Sequence, residues 1–438
     1  MTTLTVSSFN AAPAPREIIY QVIGELDKES LAACTLVSRH WHNPAHHSLF
    51  RRIVVVDSST HADKAYGLAA FDDLIHTSRG FADVAQHVFE LCIKGTGVQY
   101  VNHDPKDKEY CSISVAQLDR ILTRLPVLDT LRLVCVNLHP SITCPLSAPK
   151  SLEKLHLDIV KFERTEWERT GASAGPPTSA FTQLLKRFGR VKTLHMGPWQ
   201  LFLGNLRPES ENLAADLPEE LLIENIIAQA DPDNVCSLGN VLLPLAHSRN
   251  IHALQVLDIH DDTDFINRVL SQIGHHLPHL RLHMDWEEYD WELEDPFGLS
   301  ACTALHTLHI DIWTPSETAW DRDLENPCLR KIILHLHPSV KQLTIRLKRL
   351  QYFSDKMTWS TQYIDGLDWE SIDSALIGRP SLEQLGFELF CDKYTGEAPT
   401  FEDEIKAIQD KLPKLVRKGI VDVTAKVVAP ESFVASSH

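Results

Sequence analysis

Histidine and cysteine are the residues with the most chemical capacity in this chain of 438, numbering 23 and 9. His46 and His47 form an adjacent pair, as do His275 and His276. His335 and His337 would share one face if their segment were a strand. A metal site needs further ligands at matching spacing, and neither a carboxylate nor a thiol supplies them. No metal is expected. Cys34, Cys92, Cys111, Cys135, Cys144, Cys236, Cys302, Cys328 and Cys391 include no C-x-x-C pair. Their number is odd, and several lie in apolar runs such as Leu91-Cys92-Ile93. Buried reduced thiols fit this pattern, which points to the cytoplasm or nucleus. Gly-x-Ser-x-Gly, the Walker loop and His-Glu-x-x-His are all missing. Gly95-Thr-Gly97 has Tyr100 where a dinucleotide fingerprint needs its third glycine, so it reads as a turn. No catalytic residue, no cofactor and no enzymatic activity are expected.

The sequence offers binding chemistry instead. Asp285-Trp-Glu-Glu-Tyr-Asp-Trp-Glu-Leu-Glu-Asp295 holds seven carboxylates and three aromatics in eleven residues. Aromatics within a charged segment suit a hot spot for a basic protein partner. Trp286, Glu287, Glu288, Tyr289, Asp290 and Trp291 are therefore the candidate target-binding residues. The plainer reading is a solvated acidic loop with its Trp side chains tucked inward.

Charge and hydropathy exclude several classes. Lys and Arg number 42 against 59 Asp and Glu, a formal net charge of −17. Such a chain repels phosphate backbones unless it carries a concentrated basic patch. Lys341–Arg349 and Lys411–Lys418 are basic runs interleaved with apolar residues, which reads as the wet face of ordinary elements. Nucleic acid is not an expected partner. No apolar stretch is long enough for a membrane-spanning helix, and Met1–Asn10 lacks the pattern of a secretory signal.

The elements that must position any binding residues begin at Pro15, which suits the first turn of a helix. Ile18, Ile19, Val22, Ile23 and Leu26 recur at helical spacing. Ser30 could cap a second helix whose apolar face is Leu31, Cys34 and Val37. A third segment presents Trp41, Ala45, Leu49 and Phe50, and residues 53–56 read as a strand. Three such helices are too small to bury a core alone.

Pro15-Arg-Glu-Ile-Ile, Leu31-Ala-Ala-Cys-Thr-Leu-Val-Ser-Arg-His-Trp41 and Leu49-Phe50-Arg-Arg-Ile53 together resemble an F-box. More narrowly, they resemble the F-box proteins numerous in fungi. One departure is Ala14, where the family usually has Leu. The resemblance implies docking to a Skp-type adaptor and, through it, to a cullin. Pro15, Ile18, Ile19, Ile23, Leu31, Cys34, Val37 and Trp41 match the family's adaptor-facing or core positions. Packing within the helical unit would use the same residue types, and sequence does not divide the two roles.

Beyond residue 57 an apolar–x–x–apolar–x–apolar motif recurs. It starts at Val88, Leu128, Leu152, Val191, Leu254, Leu277, Leu305, Leu329 and Leu382. Its looseness makes the count uninformative, but context is informative. Helical patterns precede Leu128, Val191, Leu277 and Leu382, and helix–break–strand is the unit of a leucine-rich solenoid. Irregular spacings, and Val136, Asp262 and Trp313 where Asn or Cys is usual, make the repeats LRR-like rather than regular. The Pro/Gly/Ser-rich stretch Gly171–Ser179 reads as an inserted loop.

The expected fold class is α/β: a short all-α helical unit followed by an irregular LRR-like α/β solenoid. The expected boundaries are a disordered tail over 1–12, the F-box over 13–56, the solenoid over 57–425 and a tail over 426–438. The expected function is substrate recognition within a Skp–cullin–F-box ubiquitin ligase. The alternative is an F-box-containing interaction scaffold without a ligase role.

Overall fold

The computed structural model describes residues 15–57, 67–96, 110–141, 148–162, 180–197, 217, 221–229, 242, 245, 251–259, 264–285, 295, 297–314, 328–349, 367–392 and 401–428. They form two compact units. The first runs to Asn137; the second takes Leu138–Pro140 and resumes at Ala148. The tail expected over 1–12 lies outside the described residues.

The first unit opens with α1 (Arg16–Gly24), α2 (Lys28–Val37) and α3 (Arg39–Phe50). Pro15 stands at the N-cap of α1, and its carbonyl accepts from the amides of Ile18 and Ile19. The cap of α2 differs from expectation. Asp27 holds that position and its carboxylate accepts from the Ser30 amide at 2.7 Å, so Ser30 lies inside the first turn. A carboxylate there also meets the positive end of the helix dipole. Ile19, Ile23, Leu31 and Ala45 form the helical core, with Leu26, Cys34, Trp41 and Leu49 packed against it.

Strand β1 (Arg52–Asp57) follows directly. It pairs in parallel with β2 (Glu90–Gly95), which pairs in parallel with β4 (Thr130–His139); β3 (Cys111–Ser114) also pairs with β4. Helices α4 (Leu68–Thr77), α5 (Phe81–Ala85) and α6 (Val115–Thr123) lie between the strands in sequence. The helical segment is thus the start of a larger compact unit, because a core of a few side chains cannot stand alone.

The second unit is a run of parallel strands paired in chain order: β5 (Lys150–Phe162), β6 (Phe188–Met196), β7 (Leu222–Gln229), β8 (Ala253–Ile259), β9 (His279–Asp285), β10 (Thr307–Thr314), β11 (Gln342–Arg349), β12 (Gln384–Asp392) and β13 (Val421–Val428). Several links carry a helix: α7 (Ala180–Leu185), α8 (Asp264–Ile273), α9 (Cys328–His335), α10 (Trp369–Ile377), α11 (Glu402–Lys411) and α12 (Pro413–Lys418). One strand per turn, each beside its sequence neighbour, is LRR-like order. Leu343, Ile345 and Leu347 of β11 are fully buried while Thr344 and Arg346 are half-buried, so one sheet face is core and the other open. Among the described residues no helix is long and apolar enough to cross a membrane.

The strand register corrects two motif frames. Leu254 lies opposite Leu280 and Val256 opposite Leu282, so the β8 motif is Ile251-Leu254-Val256, three residues earlier than read from sequence. Leu329-Ile332-Leu334 belongs to helix α9: Leu329 and Ile332 are buried, but Leu334 is 52% exposed. The strand motif of that repeat is Val340-Leu343-Ile345, in register with Leu308 and Ile310. Ile223-Ile226-Ala228 on β7 is a further repeat, in register with Val191-Leu194-Met196. His335 ends α9 and His337 lies past it, so the two share no strand. Strand β13 continues to Val428, so residues 426–428 belong to it rather than to a tail.

Candidate protein-interaction sites

Two surfaces stand out, one on each unit. The first is on α1 and α2. On α1, Ile19 and Ile23 are buried at 1%, while Ile18 and Val22 are 50% and 42% exposed. Residues four apart share a helix face, so α1 has an apolar sector about twice as wide as its core covers. On α2, Leu31 is buried, Cys34 is half-buried, and Leu36 and Val37 are 87% and 69% exposed. Pro15 is exposed and Trp41 is half-buried against the core. The eight sequence candidates therefore divide by position. Ile19, Ile23 and Leu31 are core; Cys34 and Trp41 lie at its margin; Pro15, Ile18 and Val37 face outward. Leu36 joins the outward set. Its apolar type beside Val37 at the end of α2 was the available signal.

Helix α3 brings His42, His46 and His47 near His87. The ring pairs His42–His46, His46–His87 and His47–His87 are 5.3, 5.4 and 5.5 Å apart. Burial, and then the neighbouring His87, holds the His46 and His47 pKa values below the ordinary imidazole range. Among the described residues no three His, Cys, Asp or Glu groups are placed to hold a metal ion.

The second surface is the open face of the sheet. Polar groups join neighbouring strands in ladders. Lys192 donates to Glu153 at 2.7 Å, and Arg190 to Glu224 at 2.7 Å. His156 and His195, both nearly buried, share an Nδ1–Nδ1 hydrogen bond of 2.8 Å. Further along, Nε and Nη2 of Arg281 donate to one oxygen of Asp311 at 2.9 and 2.5 Å. Arg346 donates to Glu388 at 2.9 and 2.6 Å and lies 4.4 Å over the Phe390 ring. Of the basic run over 341–349, Lys341 and Arg346 are thus paired, to Glu383 and Glu388. Between β6 and β10 the same face dips into an open groove of about 350 Å³. Trp286, Glu287, Glu288, Tyr289, Asp290 and Trp291 lie outside the described residues.

The F-box-like family model matches residues 15–55. This F-box-like segment coincides with α1–α3 and most of β1. No curated protein matches the chain. Among solved structures, the leucine-rich repeat-containing protein LegL7 from Legionella pneumophila aligns with a TM-score of 0.40 at 11% identity, over 87% of this chain and 91% of that one.

Proposed function

We propose that the protein is the substrate-receptor subunit of a Skp–cullin–F-box ubiquitin ligase. The F-box-like segment would dock to a Skp-type adaptor, and the LRR-like unit would hold a protein target. The observation that carries this is the coincidence of the F-box-like match at residues 15–55 with uncovered apolar side chains on α1 and α2. Full burial of Leu36 and Val37 against a partner is worth about 1.5–3 kcal/mol each, which favours docking over exposure. F-box and LRR-like modules serve interaction rather than chemistry. The receptor's part is to raise the effective concentration of a target lysine near the conjugating enzyme.

The test is co-purification with a Skp-type adaptor. Leu36→Asp and Val37→Asp should each weaken capture about tenfold or more while leaving the melting temperature unchanged. Ile19→Asp should instead unfold the helical segment, because it puts a charge into the core. No complex with wild-type protein at micromolar concentration would overturn the proposal. Ala14, in place of the family's usual Leu, favours the second reading, an interaction scaffold. A bound adaptor without cullin recruitment or a ubiquitylated product would select it.

A further inference from the structure

The groove on the open sheet face has a composition at odds with the rest of the chain. Acidic residues outnumber basic ones 59 to 42 overall, yet no carboxylate lines it. Its polar lining includes Asn225, Gln255, His279, Arg281, Thr307 and His309. His309 on β10 lies in register with Arg281 on β9, and Thr307 with His279, so the two imidazoles and the guanidinium cluster on adjoining strands. Arg281 uses Nε and Nη2 on Asp311; Nη1 has no partner among the described residues. The His279 and His309 side chains likewise make no hydrogen bond to a described residue. His279 is exposed, and His309 and Arg281 are half-buried, so all three remain accessible from the groove.

We infer that this groove is the seat for an acidic, extended segment of a protein target, its Asp or Glu side chains received by Arg281, His279 and His309. Charge complementarity argues for this occupant. A carboxylate here gains charge-assisted hydrogen bonds from donors that no described residue engages. Asn225 and Gln255, on neighbouring strands, can serve the peptide backbone with their amide groups, although Asn225 also donates one N–H to the Lys192 carbonyl at 3.2 Å. The groove is open and at the small end of ligand-site volumes, which suits two or three side chains of a chain lying across the strands rather than an enclosed metabolite. A polynucleotide would meet the repulsion of a net charge of −17.

Protonation should tune the affinity. Burial, and then the Arg281 charge, holds the His309 pKa below its ordinary value, with Asp311, Arg346 and Glu388 the other charged groups acting on it. His279 is flanked in register by Ala253 and Thr307, which carry no charge. A bound carboxylate favours the imidazolium form of His309. Binding therefore takes up protons and strengthens as pH falls through the histidine range.

The inference rests on reading the LRR-like unit as the target-holding part, and it is independent of adaptor capture. The experiment is calorimetry of the full chain with end-capped ten-residue peptides of alternating Ala and Glu, and with their Gln and Lys counterparts. The Glu peptide should bind about tenfold tighter than the Gln peptide, and tighter at pH 6 than at pH 7.5. The Lys peptide should not bind. Arg281→Gln and the double variant His279→Gln/His309→Gln should each lose about tenfold or more, and the double variant should also lose the pH dependence. Equal binding of the Glu and Gln peptides would overturn the inference, as would free glutamate competing as well per carboxylate as the peptide. Glu-peptide binding that persists when no adaptor is captured would overturn the ligase role and leave the groove assignment standing. Adaptor capture without Glu-peptide binding would do the reverse.

Discussion

Leu36 and Ile19 are both large aliphatic residues in the same helical segment, yet one is 87% and the other 1% exposed. Side-chain type announces that burial is favourable; it does not say which neighbour supplies it. The cysteines follow the same rule in the other direction. Cys92, Cys111, Cys135 and Cys302 are buried free thiols, and burial pushes the Cys302 pKa up to about 12 and raises those of Cys92 and Cys111. Protonated, inaccessible thiols do not alkylate readily. In the native protein, iodoacetamide should modify half-buried Cys34 well before these four, which should react only after denaturation. Mass mapping of the alkylated sites checks this. His46 and His47 make a pH prediction. Their folded pKa values lie below the unfolded value of about 6.5, so the unfolded chain binds protons more readily. Their contribution is intact above that value and is lost as pH falls toward the folded pKa values. Melting temperatures should decline from pH 7 to pH 5, and His46→Gln/His47→Gln should flatten the decline.

Elements are joined through helix ends as well as through strand ladders. The buried carboxylate of Asp373 on α10 accepts from the amides of Lys414 and Leu415 at 3.3 and 3.1 Å, capping the first turn of α12. Those amides have no intrahelical partner, so Asp373→Ala should cost about 1–3 kcal/mol, read as a lower urea midpoint. Arg379 acts at the opposite kind of end. Its guanidinium donates to the carbonyls of Leu336, Ile333 and Leu334 at the C-terminus of α9, where a positive charge meets the negative end of the dipole. Gly274 marks another constraint: a Cβ there would lie 2.5 Å from the Leu270 carbonyl and 2.9 Å from the Cys302 sulfur. The corrected frame of the β11 repeat is also testable. Leu334→Asp, on the exposed side of α9, should change stability by less than about 1 kcal/mol. Ile345→Asp, on the core face of β11, should cost more than about 3 kcal/mol, because it buries an unpaired charge. Equal effects of the two would mean that the helix had been given the wrong phase.

For the whole molecule, charge decides which partners approach at all. With a net charge of −17, and with the described arginines of the strand face largely paired to carboxylates, the protein should not retain duplex DNA at about 0.15 M salt. A gel-shift series across salt concentrations checks this; a salt-dependent shift would reveal a basic patch. The two proposed surfaces should also differ in their salt response. Adaptor docking through Leu36, Val37 and Ile18 is apolar and should be nearly indifferent to salt. Peptide binding at Arg281 and His309 should weaken as salt rises, since exposed charges are screened over about 10 Å at 0.1 M.

The sequence by itself determined the class of the fold, the F-box-like start and the in-register motifs at Leu152, Val191, Leu277, Leu305 and Leu382. These rest on local periodicity, which a strand or helix imposes on its own residues. Tertiary structure alone decided which apolar residues of α1 and α2 are core, because their two faces differ only in what packs on them. It moved the β8 motif and placed Leu329-Ile332-Leu334 on a helix, because an i, i+3, i+5 pattern satisfies part of a helical stripe as well as a turn into a strand. It also assembled the groove. Asn225, Gln255, Arg281 and His309 stand on four different strands, and only the register of parallel neighbours brings such residues together. The acidic run over 285–295 drew attention through composition, whereas the groove's distinguishing feature, cationic and imidazole groups without a carboxylate, has no signature along the chain.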